Sequence, residues 1–112
     1  MRRLVLACIF LIVSSSAYSA EKVLAVPTDA KATYAILEIG GKFPNRTIVT
    51  KRIGSSGTSY SKRIYNCSRK TVKYLGTGDN LAEMTSSTPD PNMSEIVPES
   101  TADYVGRQAC KR

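Results

Sequence analysis

The sequence predicts an α+β fold: a small antiparallel β-sheet, wound as a meander of about five to six strands, with a C-terminal helix packed on it and one disulfide. Three observations carry this. From Tyr34 to Met84 the chain offers short alternating or β-branched runs separated by Gly-, Asn- and Ser-rich turns. From Ser100 onward the apolar period lengthens to that of a helix. Once the leader is set aside, Cys67 and Cys110 are the cysteines that remain.

Met1-Arg2-Arg3, the apolar run Leu4 to Val13 and the small-residue stretch Ser14 to Ala20 have the order, length and charge of a secretory signal peptide over residues 1–20. The run is too short to span a bilayer, which takes about 20 apolar residues. Cleavage after Ala17 would place the small Ser15 and Ala17 at the processing site, so the mature start is expected between Tyr18 and Glu21. Val5-Leu6-Ala7-Cys8 has the look of a lipid-attachment box, but Cys8 falls inside the apolar run, where a lipid anchor does not belong. Export would carry Cys67 and Cys110 into an oxidising compartment, where they should pair. The loop they close, about 40 residues, corresponds to about 4 kcal/mol of chain entropy. Only 19 of residues 21–112 are Val, Ile, Leu, Met or Phe, so a covalent staple would offset a small core.

Residues 21–33 read as a lead-in segment, since Pro27, Thr28 and Asp29 interrupt the apolar run Val23 to Val26. In Tyr34 to Ile39, alternation puts Ala35, Leu37 and Ile39 on one face and Glu38 on the other. Thr47 to Ile53 and Thr58 to Cys67 form a hairpin about Gly54-Ser55-Ser56-Gly57. That loop pairs Ile53 with Thr58, Lys51 with Tyr60, Val49 with Lys62 and Ile48 with Arg63, so one face carries Ile48, Tyr65 and Cys67 and the other Lys51, Tyr60 and Lys62. The near-repeat of Thr50-Lys51-Arg52-Ile53 in Ser61-Lys62-Arg63-Ile64 reads as two similar strands. Thr71 to Leu75 and Leu81 to Met84 continue the strand pattern across the turn Gly76 to Asn80, and Ile96-Val97 adds a short strand. Ser100 opens a capping box with Asp103, and Ala102, Val105 and Ala109 form the inward stripe of a helix that carries Cys110 to Cys67. Gly106 lowers its helix propensity by about 1 kcal/mol relative to alanine.

Charge divides the chain. Between Gly40 and Gly78 stand Lys42, Arg46, Lys51, Arg52, Lys62, Arg63, Arg69, Lys70 and Lys73 with no acid. From Asp79 to Asp103 every charge is negative. Packing of the acidic segment nearby is expected to neutralise part of the basic field.

Several of these residues bear a family likeness. The strand Ile64-Tyr65-Asn66-Cys67, the basic strand Arg69 to Tyr74, Gly78 in the next turn, and Ile96-Val97-Pro98-Glu99-Ser100 leading to a helix that ends at Ala109-Cys110 resemble the bacterial surface-adhesin protein E family over roughly residues 34–110. The chain departs from the family in lacking tryptophan and in having Asn66 before the first cysteine, a position often acidic there. The resemblance implies a domain over residues 34–112 exported to the bacterial cell surface, outer membrane or periplasm, binding host extracellular-matrix or plasma proteins. It assigns structural roles to Cys67, Cys110, Gly78 and Ser100. In a bacterial setting the Asn-x-Ser/Thr patterns at Asn45, Asn66 and Asn92 are accidental.

Enzyme chemistry finds little to use. The chain has no histidine, its acids fall in turn, loop or helix-start contexts, and no cofactor or metal motif is expected; the isolated Gly76-Thr77-Gly78 reads as a turn. Binding is the better expectation. Lys51, Lys62, Arg63, Arg69, Lys70 and Lys73, with Tyr60 and Tyr74 interleaved, suit an acidic protein or a polyanionic polysaccharide, and export favours such partners over nucleic acid. The alternatives are a purely solvated sheet face and a periplasmic binding or inhibitory module.

Overall fold

Strict alternation along short segments builds a sheet whose neighbours in sequence are neighbours in space. The computed structural model describes residues 21–112, and the expected leader lies outside them. Strands β1 (Lys22–Leu24), β2 (Thr33–Lys42), β3 (Asn45–Gly54), β4 (Gly57–Asn66), β5 (Thr71–Gly78) and β6 (Ser94–Glu95) lie in the order of the chain, every pair antiparallel. This is the expected meander. Helix α2 (Thr101–Ala109) packs on one face, called inner here, and a short helix α1 (Leu81–Ser86) on the outer face.

The β3–β4 hairpin has the expected register, Ile53 opposite Thr58, Lys51 opposite Tyr60, Val49 opposite Lys62 and Ile48 opposite Arg63. Gly54 pairs with Gly57 around Ser55-Ser56, and Gly57 at φ 124° takes the backbone conformation that the turn requires. The β2–β3 turn is Phe43-Pro44, joined by a cis peptide. After β4, the Asn66 side chain accepts the N–H groups of Ser68 and Arg69 at 3.1 and 3.0 Å, closing the turn that leads to β5.

Ser100 caps α2 as expected: its hydroxyl accepts the Asp103 N–H at 3.2 Å, while the Asp103 carboxylate accepts the Glu99 N–H at 2.7 Å. Val105 and Ala109 are fully buried, and Ala102 packs beside them. Their neighbours across the interface are Ile48, Tyr65, Ile36 and Val72 from the inner face. Cys67, just past β4, is bonded to Cys110, the C-terminal cap of α2, with Cα atoms 5.7 Å apart. Arg46 donates to the Ala109 carbonyl at 3.0 Å, placing a cation at the negative end of the same helix.

Tyr65 is the centre of this interface. It is 0% exposed, and its hydroxyl donates to the Ala102 carbonyl at 2.6 Å. Burial pushes the phenol pKa up, so the hydroxyl remains a donor. A Cβ on Gly106 would lie 2.6 Å from the Tyr65 ring; the glycine that weakens the helix is what lets the helix reach the sheet.

Five expectations are corrected. Gly76-Thr77-Gly78 is the end of β5 rather than a turn, paired with Lys62, Ser61 and Tyr60 of β4. Residues 21–33 are more than a lead-in: Val23 pairs with Ala35 in β1, and Leu24 and Val26 are buried in the core. In β2 the buried residues are Tyr34 and Ile36, not Ala35, Leu37 and Ile39: Tyr34 and Ile36 oppose the inner-face residues Arg52 and Thr50, and a bulge between Ile36 and Glu38 separates Ile39 from the face of Ala35. Leu81 to Met84 is helix rather than strand. Asn80 caps it by accepting the Glu83 N–H at 2.9 Å, Glu83 accepts the Asp79 N–H at 2.8 Å, and Met84 turns in towards the sheet. Gly78 makes room for this helix, since a Cβ there would lie 2.5 Å from that of Glu83. Finally, β6 is Ser94–Glu95 rather than Ile96-Val97: the chain leaves the sheet towards the cap of α2, where the Val97 carbonyl accepts the Ser100 hydroxyl at 2.7 Å.

Candidate functional site

A strand turns successive side chains to opposite faces, so each Lys-Arg pair in this sheet must split between them. In β3 and β4 the split is the same. Lys51 and Lys62 point outward; Arg52 and Arg63 point to the inner face with Ile48 and Tyr65. Lys73, opposite Ile64 on β5, joins the outer face. The chemistry fits the division, because guanidinium planes can be buried against hydroxyls and rings whereas an ammonium is more strongly hydrated. The near-repeat Lys-Arg-Ile thus marks a common facing of two strands.

On the outer face Lys51, Lys62 and Lys73 run diagonally across β3, β4 and β5: Lys62 lies two residues past Tyr60, the partner of Lys51, a spacing of about 7–8 Å, and two residues before Ile64, the partner of Lys73, across a register shift between β4 and β5. Tyr60 stands directly opposite Lys51 and two residues before Lys62. Lys51 reaches Glu21 at 3.1 Å. Lys62 borders a cavity of about 350 Å³ with Glu38, Val49 and Met84, where α1 overhangs the sheet. Arg69 and Lys70 are exposed in the β4–β5 turn, Lys70 in the left-handed conformation at φ 59°.

The inner face differs from the expectation. Arg63, expected beside the lysines, is 4% exposed, and Tyr74 shares its face rather than that of Tyr60. The reason lies in the register: Arg63 opposes Ile48, a core residue, so it must face the core side. Its Nη1 donates to the Thr50 hydroxyl at 3.2 Å and its Nη2 to the Tyr74 hydroxyl at 3.0 Å, and its Cζ lies 4.7 Å from the Tyr74 ring centroid. Nearby, Arg52 holds Asp29 through Nε at 2.8 Å and Nη2 at 3.2 Å, and the Tyr34 hydroxyl donates to the same carboxylate at 2.6 Å.

The acids that meet the basic segment are not those expected. Among the described residues the ion pairs are Lys51–Glu21, Arg52–Asp29 and Arg107–Asp103, so the N-terminal segment, not residues 79–103, supplies the partners of the basic strands. The cause is β1, which folds back along β2 and brings Glu21 and the Pro27–Asp29 turn beside β3.

These pairs set a pH dependence. The hydrogen bonds from Arg52 and then from Tyr34 lower the Asp29 pKa, and those from Arg107 and from the Glu99 N–H lower that of Asp103. Both folded values lie below the unfolded 3.8, so their stabilisation is present above that pH and is lost as pH falls through the folded values. Melting temperature measured against pH is expected to decline below about pH 4, and Asp29→Asn to make that decline shallower while lowering the plateau.

Comparison with protein-family models, with curated proteins and with solved structures finds no match to this chain. The likeness to the adhesin protein E family therefore rests on the residues that carry it, and the arrangement of side chains is the remaining guide to function. Among the described residues no group of His, Cys, Asp and Glu is arranged to hold a metal ion, and no helix is long and apolar enough to cross a membrane.

Proposed function

We propose that this chain is an exported, non-enzymatic binding protein, an adhesin-like module of the bacterial surface that engages acidic ligands of the host matrix or plasma through the outer face of its sheet. The observation that carries the reading is the lysine diagonal. Lys51, Lys62 and Lys73 sit with Tyr60 on the face that α2 leaves open, and of the three only Lys51 is paired with a carboxylate among the described residues. Cations held at fixed spacing on a rigid sheet add their fields, and a ring beside them offers a flat contact for a sugar or a peptide. The Cys67–Cys110 bond suits a protein that works outside the reducing cytoplasm. The sequence likeness to adhesin protein E points the same way.

Retention on immobilised heparin tests the outer face. Replacing Lys51, Lys62 and Lys73 together by glutamine is expected to weaken binding about tenfold or more, equivalent to about 1.4 kcal/mol, and to lower the melting temperature only slightly, since the three lysines are half-buried, glutamine keeps most of each stem, and the ion pair lost, Lys51–Glu21, contributes at most about 1 kcal/mol. Binding by the parent should weaken as salt shortens the Debye length from about 10 Å at 0.1 M to about 3 Å at 1 M. Unchanged retention by the folded triple variant would exclude this face as the contact surface.

A further inference from the structure

The inner face carries a second cationic feature, separate from the lysines and built differently. Between the sheet and the start of α2 lies a cavity of about 180 Å³ lined by Tyr34, Thr50, Arg52, Ser59, Ser61, Arg63, Tyr74 and Thr101. Hydroxyl and guanidinium groups dominate that lining. Arg63 is 4% exposed, and Thr50, which it contacts, is 2% exposed.

Among the described residues Arg63 makes no ion pair, although Asp90 lines a neighbouring cavity with it and Tyr74 and accepts the Tyr74 N–H at 3.4 Å. Both hydrogen-bond partners of Arg63, the Thr50 and Tyr74 hydroxyls, are neutral, and its Nε is buried without any partner. Arg52, by contrast, is neutralised by Asp29 through two hydrogen bonds. Of the two guanidinium groups lining the cavity, Arg63 is thus the one without a bonded carboxylate. A buried guanidinium with only neutral partners is costly, and protein interiors ordinarily supply it with an anion. Arginine is also the cation best suited to a carboxylate, whose two oxygens match its fork of donors.

We propose that this cavity binds a single carboxylate, from an acidic side chain of a partner or from a small organic acid, with Arg63 as its counter-charge and the Ser59, Ser61 and Thr101 hydroxyls as further donors. One negative charge balances Arg63 without displacing Asp29 from Arg52. The site lies across the sheet from the lysine diagonal and does not depend on it.

The test uses the oxidised mature protein, titrated with sodium acetate against sodium chloride at matched ionic strength and followed by amide NMR. A second arm uses a short glutamate-rich peptide. Saturable shifts at Thr50, Ser59, Ser61 and Thr101 are expected with acetate and absent with chloride. Tighter binding of the peptide than of acetate would assign the site to an acidic protein partner, and equal binding to a small acid. Arg63→Met should abolish the saturable shifts, while the triple lysine variant should keep them with acetate. Ser61→Asp provides a carboxylate within the cavity and stays informative even if Arg63→Met does not fold: it should raise the melting temperature and remove acetate binding. Shifts that never saturate, or that persist in Ser61→Asp, overturn the proposal. Retention on heparin by the same variants reports separately on the outer face.

Discussion

Replacing Cys67 and Cys110 together by alanine is expected to lower the melting temperature of the domain over residues 21–112 by about 15–30 °C. The bond links positions separated by 43 residues, and constraining such a loop in the unfolded chain corresponds to about 4 kcal/mol. In a domain of this size each kcal/mol moves the melting temperature by about 4–8 °C. The location of the bond adds to the effect. It fixes the C-terminal cap of α2 to the end of β4, next to the Tyr65–Gly106 contact and the Arg46 bond to Ala109. Calorimetry of the double variant beside the oxidised parent makes the measurement; a fall of under about 5 °C would mean that α2 is held by packing alone and that the staple contributes little.

The second large effect is at the seam between α2 and the sheet. Gly106→Ala should destabilise the protein although it improves helix propensity by about 1 kcal/mol, because the new Cβ would stand 2.6 Å from a ring that cannot retreat. Tyr65 is fully buried and its hydroxyl is tied to Ala102, so the helix must shift instead, at about 1–3 kcal/mol. Tyr65→Ala alone should cost about 3–5 kcal/mol through the cavity it leaves. In that background the sign reverses: Gly106→Ala should then stabilise, since the ring it met is gone and the propensity gain remains. Urea denaturation of the four proteins in this cycle gives the coupling, expected at about 2 kcal/mol or more. Additive effects would show that the two residues do not meet.

What the sequence reveals depends on whether the cause is local. The β3–β4 register is legible because Gly54-Ser55-Ser56-Gly57 admits one tight loop, which then fixes every pair along the hairpin. The cap at Ser100 and the stripe Ala102, Val105 and Ala109 are legible because both lie within a few turns of helix. Contacts made at a distance are not. Three residues of β1 carry no strand pattern of their own and are ordered by pairing with β2, and the Asp29–Arg52 bond follows from that return of the chain. The bulge at Leu37 puts Ala35 and Ile39 on different faces although their spacing suggests one, and Leu81 to Met84 is too short for its period to separate helix from strand. Arg63 is the instructive case among the candidate binding residues. The hairpin register already placed it opposite Ile48 and therefore on the core face, while charge counting grouped it with the lysines. What no pattern could supply is that its partners are two hydroxyls and no carboxylate, which belongs to the packed molecule.

Surface labelling of intact bacteria that express the full chain bears most directly on the central claim, that this is an exported protein acting at the cell surface. With a membrane-impermeant amine reagent, the protein is expected to be modified at exposed lysines such as Lys42 and Lys70 before any membrane is opened. Protein that becomes labelled only after the outer membrane is broken would place it in the periplasm and contradict the adhesin reading.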